Sequence, residues 1–243
     1  MGHRDLPMEF DPLPWGTDHL ARLAAGSWNT RYRNEQLYVH EGPVPLVREF
    51  FERFGDQLGR GPILDVGCGN GRNLHEAARR GYPTFGLDVS AEALAQLARR
   101  LQRLQLRADV CFGTFRALPY AAASFAGVLA INVLQHNDWA GAERSFAEVR
   151  RVLVRHGLLL LRVRSASRPL DPAPEILVDH GVTYIPHGGT KAGVTLHHYS
   201  EEELRSLAAA NGLMVIELDE PVGEDVRDTE NRGQWTGVFR KAA

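Results

Sequence analysis

The chain has 243 residues, which suits one globular domain with some elaboration. Hydrophobic residues make up 44% and charged residues 24%, enough to bury a sizeable core and too apolar for a disordered chain. A formal net charge of −2 excludes any overall attraction to nucleic acid or to an anionic membrane.

Two cysteines, Cys68 and Cys111, cannot supply a disulfide framework, so a reducing compartment is expected. No apolar run approaches the ~20 residues that span a bilayer. The first sixteen residues are polar and proline-rich and lack the apolar core of a signal peptide. Gly2 follows Met1, but Leu6 stands where a myristoylation signal needs Ser or Thr. The expectation is a soluble cytoplasmic protein.

Residues 18–58 read as mostly helical, with Trp28, Tyr32, Tyr38, Phe50, Phe51 and Phe54, and Pro43 and Pro45 divide them. From residue 62, short apolar runs alternate with helical patterns. Ile63–Val66 is a strand, followed by a helix from about Asn70 to Arg80. Phe85–Leu87 is a second strand. Ser90 caps a helix whose stripe is Leu94, Leu97, Leu101 and Leu104. Val110–Phe112 and Gly127–Val133 are the third and fourth strands. A helix follows from about Ala140 to Val154, with Phe146, Val149 and Leu153 on one stripe and Gly157 past its end. Leu158–Val163 is apolar at every position but Arg162, as for a strand buried on both faces. Ser200 and Glu203 form a capping box for a helix that stops at Asn211-Gly212. Leu213–Leu218 and Trp235–Phe239 are the last strands. This alternation predicts an α/β fold: a doubly wound, mostly parallel seven-stranded sheet with helices on both faces. Residues 165–198, rich in Pro, Gly and His, interrupt the rhythm and suggest a functional loop or lid on the substrate side.

Glycines at 67, 69 and 71 follow the first strand in the spacing G-x-G-x-G. The dinucleotide fingerprint would need a third glycine at 72, which is Arg72. Asp65, two residues before the first glycine, repels phosphate and attracts an ammonium or sulfonium group. Asp88, ending the second strand, is placed to accept from ribose hydroxyls. The expected ligand is a nucleoside with a cationic, phosphate-free tail, a description that S-adenosylmethionine (SAM) fits.

LDVGCGNG followed by GLDVS resembles the first two motifs of the class I SAM-dependent methyltransferases, of the type 11/25 kind. CFGTFRALPYAAASFAGVLAINVLQH and ERSFAEVRRVLVRHGLLLL resemble the family stretches that follow, so the likeness covers roughly residues 62–164. It implies that residues 61–243 form the SAM-binding domain, behind an amino-terminal helical extension or lid at 1–60. It further implies that Gly67, Cys68, Gly69, Asn70 and Gly71 approach the methionine end of SAM, with Asp65 beside its amino group. Asp88 would hold the ribose, Val89 would pack on the adenine, and Thr114 and Phe115 would line the adenine pocket; Asn73 and Ser90 join this set. Many relatives carry an acid at position 114, whereas Thr114 offers an uncharged acceptor.

Beyond strand four, His136 in VLQHNDW suits a general base, the alternative being a packing role that orders the loop with Asn137 and Asp138. Asn132 and Gln135 lie on the same turn as site-lining residues. Trp28 and Tyr32 fold over the site as a lid helix or pack as helix core. His187, His197, His198 and Tyr199 are candidate substrate contacts; the histidines lack a zinc-ligand spacing, and no metal site is expected. Arg99, Arg100, Arg103 and Arg107 read as a solvated helix face. Arg162, Arg164 and Arg168 recognise an anionic substrate or pair with acids. The tail from Asp219 is similar to tellurite-type small-molecule methyltransferases, whereas NTRY, HHYSEEEL and QWTGVFRK are similar to enzymes of tRNA wobble uridines. Methyl transfer from SAM to a small molecule by in-line displacement is the leading reading. RNA modification, for which no extended basic face is evident, is the alternative, and a non-catalytic SAM-binding module the third. Either a monomer or a homodimer fits.

Overall fold

Alternation along the central strands sends side chains to two separate cores. In the computed structural model, which describes residues 19–34, 42–168, 174–177, 182–186, 194–220 and 233–243, β1 (Ile63–Val66), β2 (Thr84–Asp88), β3 (Asp109–Phe112), β4 (Phe125–Ile131) and β5 (Leu153–Arg164) pair in parallel. Leu64, Val66, Val128, Ala130, Leu159 and Leu161 join one core, while Ile63, Leu129, Ile131, Leu158 and Leu160 join the other. Both faces of the inner strands are thus apolar, and both are covered by helices.

The seven-stranded sheet has the order β3-β2-β1-β4-β5-β10-β9, with β9 (Leu213–Asp219) at the edge and β10 (Gln234–Lys241) antiparallel to both neighbours. On one face, α5 (Trp139–Val152) and α6 (Glu201–Ala210) bury Phe146, Val149, Leu204 and Leu207. On the other, α2 (Pro45–Leu58) buries Phe50, Phe51 and Phe54, with Ala77 of α3 (Leu74–Arg79) beside them. A third cluster joins Leu94, Leu97 and Leu101 of α4 (Ala91–Leu104) to Cys68 and Leu74. The sheet order reverses between β1 and β4, the switch point where doubly wound sheets bind ligands.

Several expectations need correction. Residues 70–73 are turns, and α3 starts only at Leu74, because Gly71 has φ of 87°, outside the helical region. Leu104 is 36% exposed and leaves the core stripe. The chain passes from α5 directly into β5 at Leu153, so Gly157 lies inside a strand; residues between the Phe125↔Leu153 and Gly127↔Leu158 pairs bulge out. Arg100 is half-buried, unlike Arg99, Arg103 and Arg107. Within 165–198 the chain builds a small antiparallel sheet from β6 (Pro174–Leu177), β7 (Val182–Pro186) and β8 (Leu196–His198). Tyr38, His187 and the tail at 221–232 lie outside the described residues. Among the described residues no helix is long and apolar enough to cross a membrane.

Ser90 caps α4 by accepting from Ala93 N at 3.1 Å, and the Ser200–Glu203 capping box opens α6. Helix α1 (His19–Asn34) is tied to the start of α4 through Asn29, whose Oδ1 accepts from Ser90 Oγ at 2.9 Å and Glu92 N at 3.1 Å. Gln96 Nε2 adds a bond to the Tyr32 carbonyl at 2.7 Å. Asn29→Ala strips an acceptor from a helix-terminal N–H, so a stability loss of about 1–2 kcal/mol is expected by urea denaturation; an unchanged midpoint would refute this account of how α1 is held.

Candidate active site

The carboxyl ends of β1, β2 and β4 open onto one cleft, which encloses ≈ 960 Å³ of open space, solvent included. Its floor is the turn after β1. Gly67 N and Cys68 N both donate to the Leu87 carbonyl, at 2.7 and 3.0 Å, and Gly71 N donates to the Cys68 carbonyl at 2.9 Å. Gly67 and Gly69 have φ of 66° and 53°, where a side chain is strained. Space is equally restrictive: a Cβ on Gly67 would lie 2.3 Å from Val133, and one on Gly69 would lie 2.3 Å from the Tyr32 hydroxyl. The loop therefore presents bare backbone to the cleft.

Asp88 anchors this floor. One carboxylate oxygen accepts from Gly69 N at 2.7 Å and the other from Ser90 N at 2.8 Å. It faces the cleft yet is only 7% exposed, and burial pushes its carboxyl up to about 6 against those backbone bonds. Asp65 is more enclosed, at 2% exposed. Burial first and the Asp88 charge second raise its carboxyl to about 8, opposed by a bond from Leu74 N at the start of α3. The Asp65 Oδ2 is buried with no hydrogen-bond partner among the described residues. An acceptor of this kind, beside a second carboxylate, has room to gain from a cationic ligand group.

The walls come from three directions. Val89, Gly113 and Phe115 form one side. Asn132, Val133 and His136 form the second, on the turn after β4, where Asn132 adopts φ of 57° and donates its N–H to the Arg162 carbonyl at 2.8 Å. The third is α1 with the segment before α2. The His136 ring meets the Trp28 ring edge-on at 5.2 Å between centroids, and Trp28 lies 6.2 Å from Tyr32. Asn73 Oδ1 accepts from Val44 N at 3.2 Å, and Arg72 Nε donates to the Gly42 carbonyl at 3.0 Å.

Of the residues singled out from sequence, Gly67, Cys68, Gly69, Asn70, Asn73, Asp88, Val89, Phe115, Asn132, Trp28, Tyr32 and His136 line this cleft. Asp65, Gly71, Ser90, Thr114 and Gln135 do not; they sit behind the lining. The Gln135 side chain accepts from Arg164 N at 3.0 Å, and Ser90 serves as helix cap. The substrate candidates Arg164, His198 and Tyr199 also lie off the cleft. Arg164 Nη1 donates to Tyr184 Oη at 3.2 Å and stands 3.4 Å from His198 Nε2, on which Tyr184 closes at 3.0 Å. Burial, then the charges of Arg164 and Arg168, push His198 down to about 3, so its ring is neutral. Tyr199 donates its hydroxyl to the Leu134 carbonyl at 2.8 Å. Arg162 donates its Nε to Gln234 Oε1. Sequence reading gave no site role to Asn29, Val44, Arg72, Arg116 and Val133, although all but Val44 lie in or beside the stretches matched to known families.

The profile of the family described as "Methyltransferase domain" matches residues 63–157. The O-methyltransferase rstn1 of Aspergillus nomiae is 30% identical over 215 residues, spanning 85% of this chain and 84% of that protein. The chain belongs to the class I SAM-dependent methyltransferase family. Solved structures place this methyltransferase in the same fold. The 1,6-didemethyltoxoflavin-N1-methyltransferase of Burkholderia thailandensis, with bound S-adenosylhomocysteine, superposes with TM-score 0.68 at 18% identity, over 92% of this chain and 89% of that one. The [4+2]-cyclase SpnF superposes with TM-score 0.62 at 18% identity, over 91% and 94%. A fold shared by a methyltransferase and a cyclase leaves the reaction to the residues of the cleft.

Proposed function

We propose that this methyltransferase moves the SAM methyl group to an oxygen of a small-molecule acceptor, with His136 as general base. The observation that supports this most is the imidazole of His136 on the cleft wall, on the turn opposite the glycine loop and against Trp28. The relatives rstn1 and the ubiquinone biosynthesis O-methyltransferase of Brucella anthropi, 23% identical over 91% of this chain, are named for transfer to oxygen.

The bare backbone of Gly67–Gly69, the buried carboxylates of Asp65 and Asp88, and the Phe115 wall fit a nucleoside with a cationic tail. In this reading Asp88 accepts from the ribose, Phe115 and Val89 flank the adenine, and Asn70 and Asn73 hold the methionyl end, with Gly71 forming the turn behind them. Asp65 acts from behind the loop, giving up its proton as the cationic tail arrives, rather than by lining the cleft; Ser90, Thr114 and Gln135 shape the walls from behind the lining. Bound SAM supplies a methyl on positive sulfur, already activated for in-line displacement. The chain aligns the acceptor oxygen behind that methyl, a proximity effect of several kcal/mol. Trp28, Tyr32 and Val44 exclude water from that line. His136 takes the hydroxyl proton as the oxygen attacks. Residues 1–60 then act as a cover and 61–243 as the catalytic unit.

A screen with methyl-labelled SAM over phenols, small acids, thiols, oxyanions and bulk tRNA tests this reading. Label is expected on a hydroxyl of a small molecule, and His136→Ala should cut its transfer by roughly 10²–10⁴-fold. Label in tRNA alone, or on no acceptor, would sink the proposal.

A further inference from the structure

Two loops wall the cleft from different strands, and one side chain joins them. Residues 113–118 follow β3 and bring Gly113 and Phe115 to the cleft; residues 132–138 follow β4 and bring Asn132, Val133 and His136. Arg116 spans the gap. Its Nε donates to Asn137 Oδ1 at 2.8 Å, and its Nη2 donates to Asp138 Oδ1 at 3.1 Å. The Arg116 side chain is only 7% exposed, so this fork is desolvated and its charge-assisted bonds are worth more than surface pairs.

Both acceptors are fixed in turn. Asp138 Oδ1 also accepts from Gly141 N at 2.9 Å, as the cap of α5. Asn137 Nδ2 donates to the Leu134 carbonyl at 3.2 Å and to Ser145 Oγ at 3.1 Å. The helix leaves room for the fork only because position 141 is glycine. A Cβ there would lie 2.3 Å from Asn137 Oδ1 and 2.6 Å from Arg116 Nη2. The first half of the loop is held from elsewhere, by Tyr199 Oη on the Leu134 carbonyl at 2.8 Å and by His197 N on the Gln135 carbonyl at 2.8 Å. His136 therefore sits between two sets of anchors, and Arg116 supplies the one after it.

Resting on the reading of His136 as the acceptor-side base, we propose that Arg116 is a positioning residue that locks the His136 loop to the adenine wall of the cleft. Arg116 does not line the cleft, so it acts through Asn137 and Asp138. The planar fork matters as much as the charge, since two acceptors on consecutive residues are engaged at once. A rigid two-point bond on Asn137 and Asp138 fixes the direction in which the preceding side chain, His136, points, and misplacement of a base by about 1 Å is enough to cost roughly a hundredfold in rate.

The test uses full-length protein with bound S-adenosylhomocysteine and carbon-13-labelled histidine, the His136 ring signal being assigned by its loss in His136→Ala. The edge-on Trp28 ring shifts that signal in the wild type. Arg116→Gln is expected to move it toward the value of a free histidine while S-adenosylhomocysteine affinity, read by calorimetry, stays within about threefold. Arg116→Lys, which keeps the charge but not the fork, should give an intermediate shift. Gly141→Ala, which displaces the fork without removing charge, should give the same shift as Arg116→Gln. An unmoved His136 signal in both Arg116→Gln and Gly141→Ala overturns the proposal. So does a loss of S-adenosylhomocysteine affinity beyond about tenfold in Arg116→Gln, which would make Arg116 part of the adenine site itself. Failure of the wild type to bind S-adenosylhomocysteine overturns the underlying reading of the cleft, and is told apart by needing no variant at all.

Discussion

Asp88→Ala weakens SAM binding by roughly a hundredfold, whereas His136→Ala changes it by about threefold or less. The difference follows from what each side chain holds. Asp88 ties Gly69 N and Ser90 N with its two oxygens, so it shapes the loop and caps the approach to α4 at once. Removing it leaves two buried N–H groups without their acceptor and takes away the candidate ribose acceptor. Unmade buried bonds of this kind cost about 1–3 kcal/mol each, more when the missing partner is charged. His136 contributes a ring contact with Trp28 and one side of the cleft wall, which the cofactor can forgo. Asp88→Asn keeps one acceptor and should fall between. Calorimetry of SAM binding to the three variants decides the matter; equal affinities for Asp88→Ala and His136→Ala would contradict this division of roles.

Asp65→Asn raises the stability of the cofactor-free protein at pH 8 much more than at pH 5. In the folded protein, burial and then the Asp88 charge raise the Asp65 carboxyl from 3.8 to about 8. The folded state thus holds a proton that the unfolded chain releases. The stability this contributes is complete below about pH 4 and is lost as pH rises toward 8, a decline on the order of a few kcal/mol. Asparagine keeps an acceptor for Leu74 N but carries no charge, so the decline disappears. The Asp88 carboxyl, raised to about 6, adds a slope of the same sign at lower pH and keeps it in both proteins. That shared slope cancels in the difference, so the contrast grows from about pH 4 to about pH 8. Urea denaturation of both proteins across pH 5–9 measures it, and a stability difference independent of pH would refute the account. An acid this costly in the empty protein makes sense where a cation arrives.

Much of the frame was legible because its signals are local. The apolar run Leu158–Leu161 could only be part of a strand covered on both faces, and it sits between β4 and β10 in the sheet. Ser90, Ser200 and Glu203 announced helix starts through side chains that reach only three residues along the chain. The glycine spacing and the two acids placed the cleft at the ends of β1 and β2. Local reading failed where a distant segment intervened. Gly157 looked like a helix stop, yet pairing with β4 draws β5 back as far as Leu153. The stretch 165–198 showed no period because its short strands pair with one another rather than bury a long face.

The candidate site divides along the same line. Sequence alone determined the fold class, the glycine loop, Asp88 and the position of His136 after β4, since each depends on residues a few places apart. It also marked Asp65 as the informative acid, but put it at the ligand rather than behind the loop. Only the tertiary structure decided that Arg164, His198 and Tyr199 close on their own neighbours away from the cleft, and that Asn29 and Val44 pin the segments around it. Arg116 belongs to this second group: no local pattern marks it, because its partners are 21 and 22 residues away and are brought to it by the winding of β4 and α5. Capping, turns and strand period act within a few residues and can be read from the chain. Which buried polar groups meet is set by packing across the sheet, where an unpaired donor or acceptor is too costly to leave.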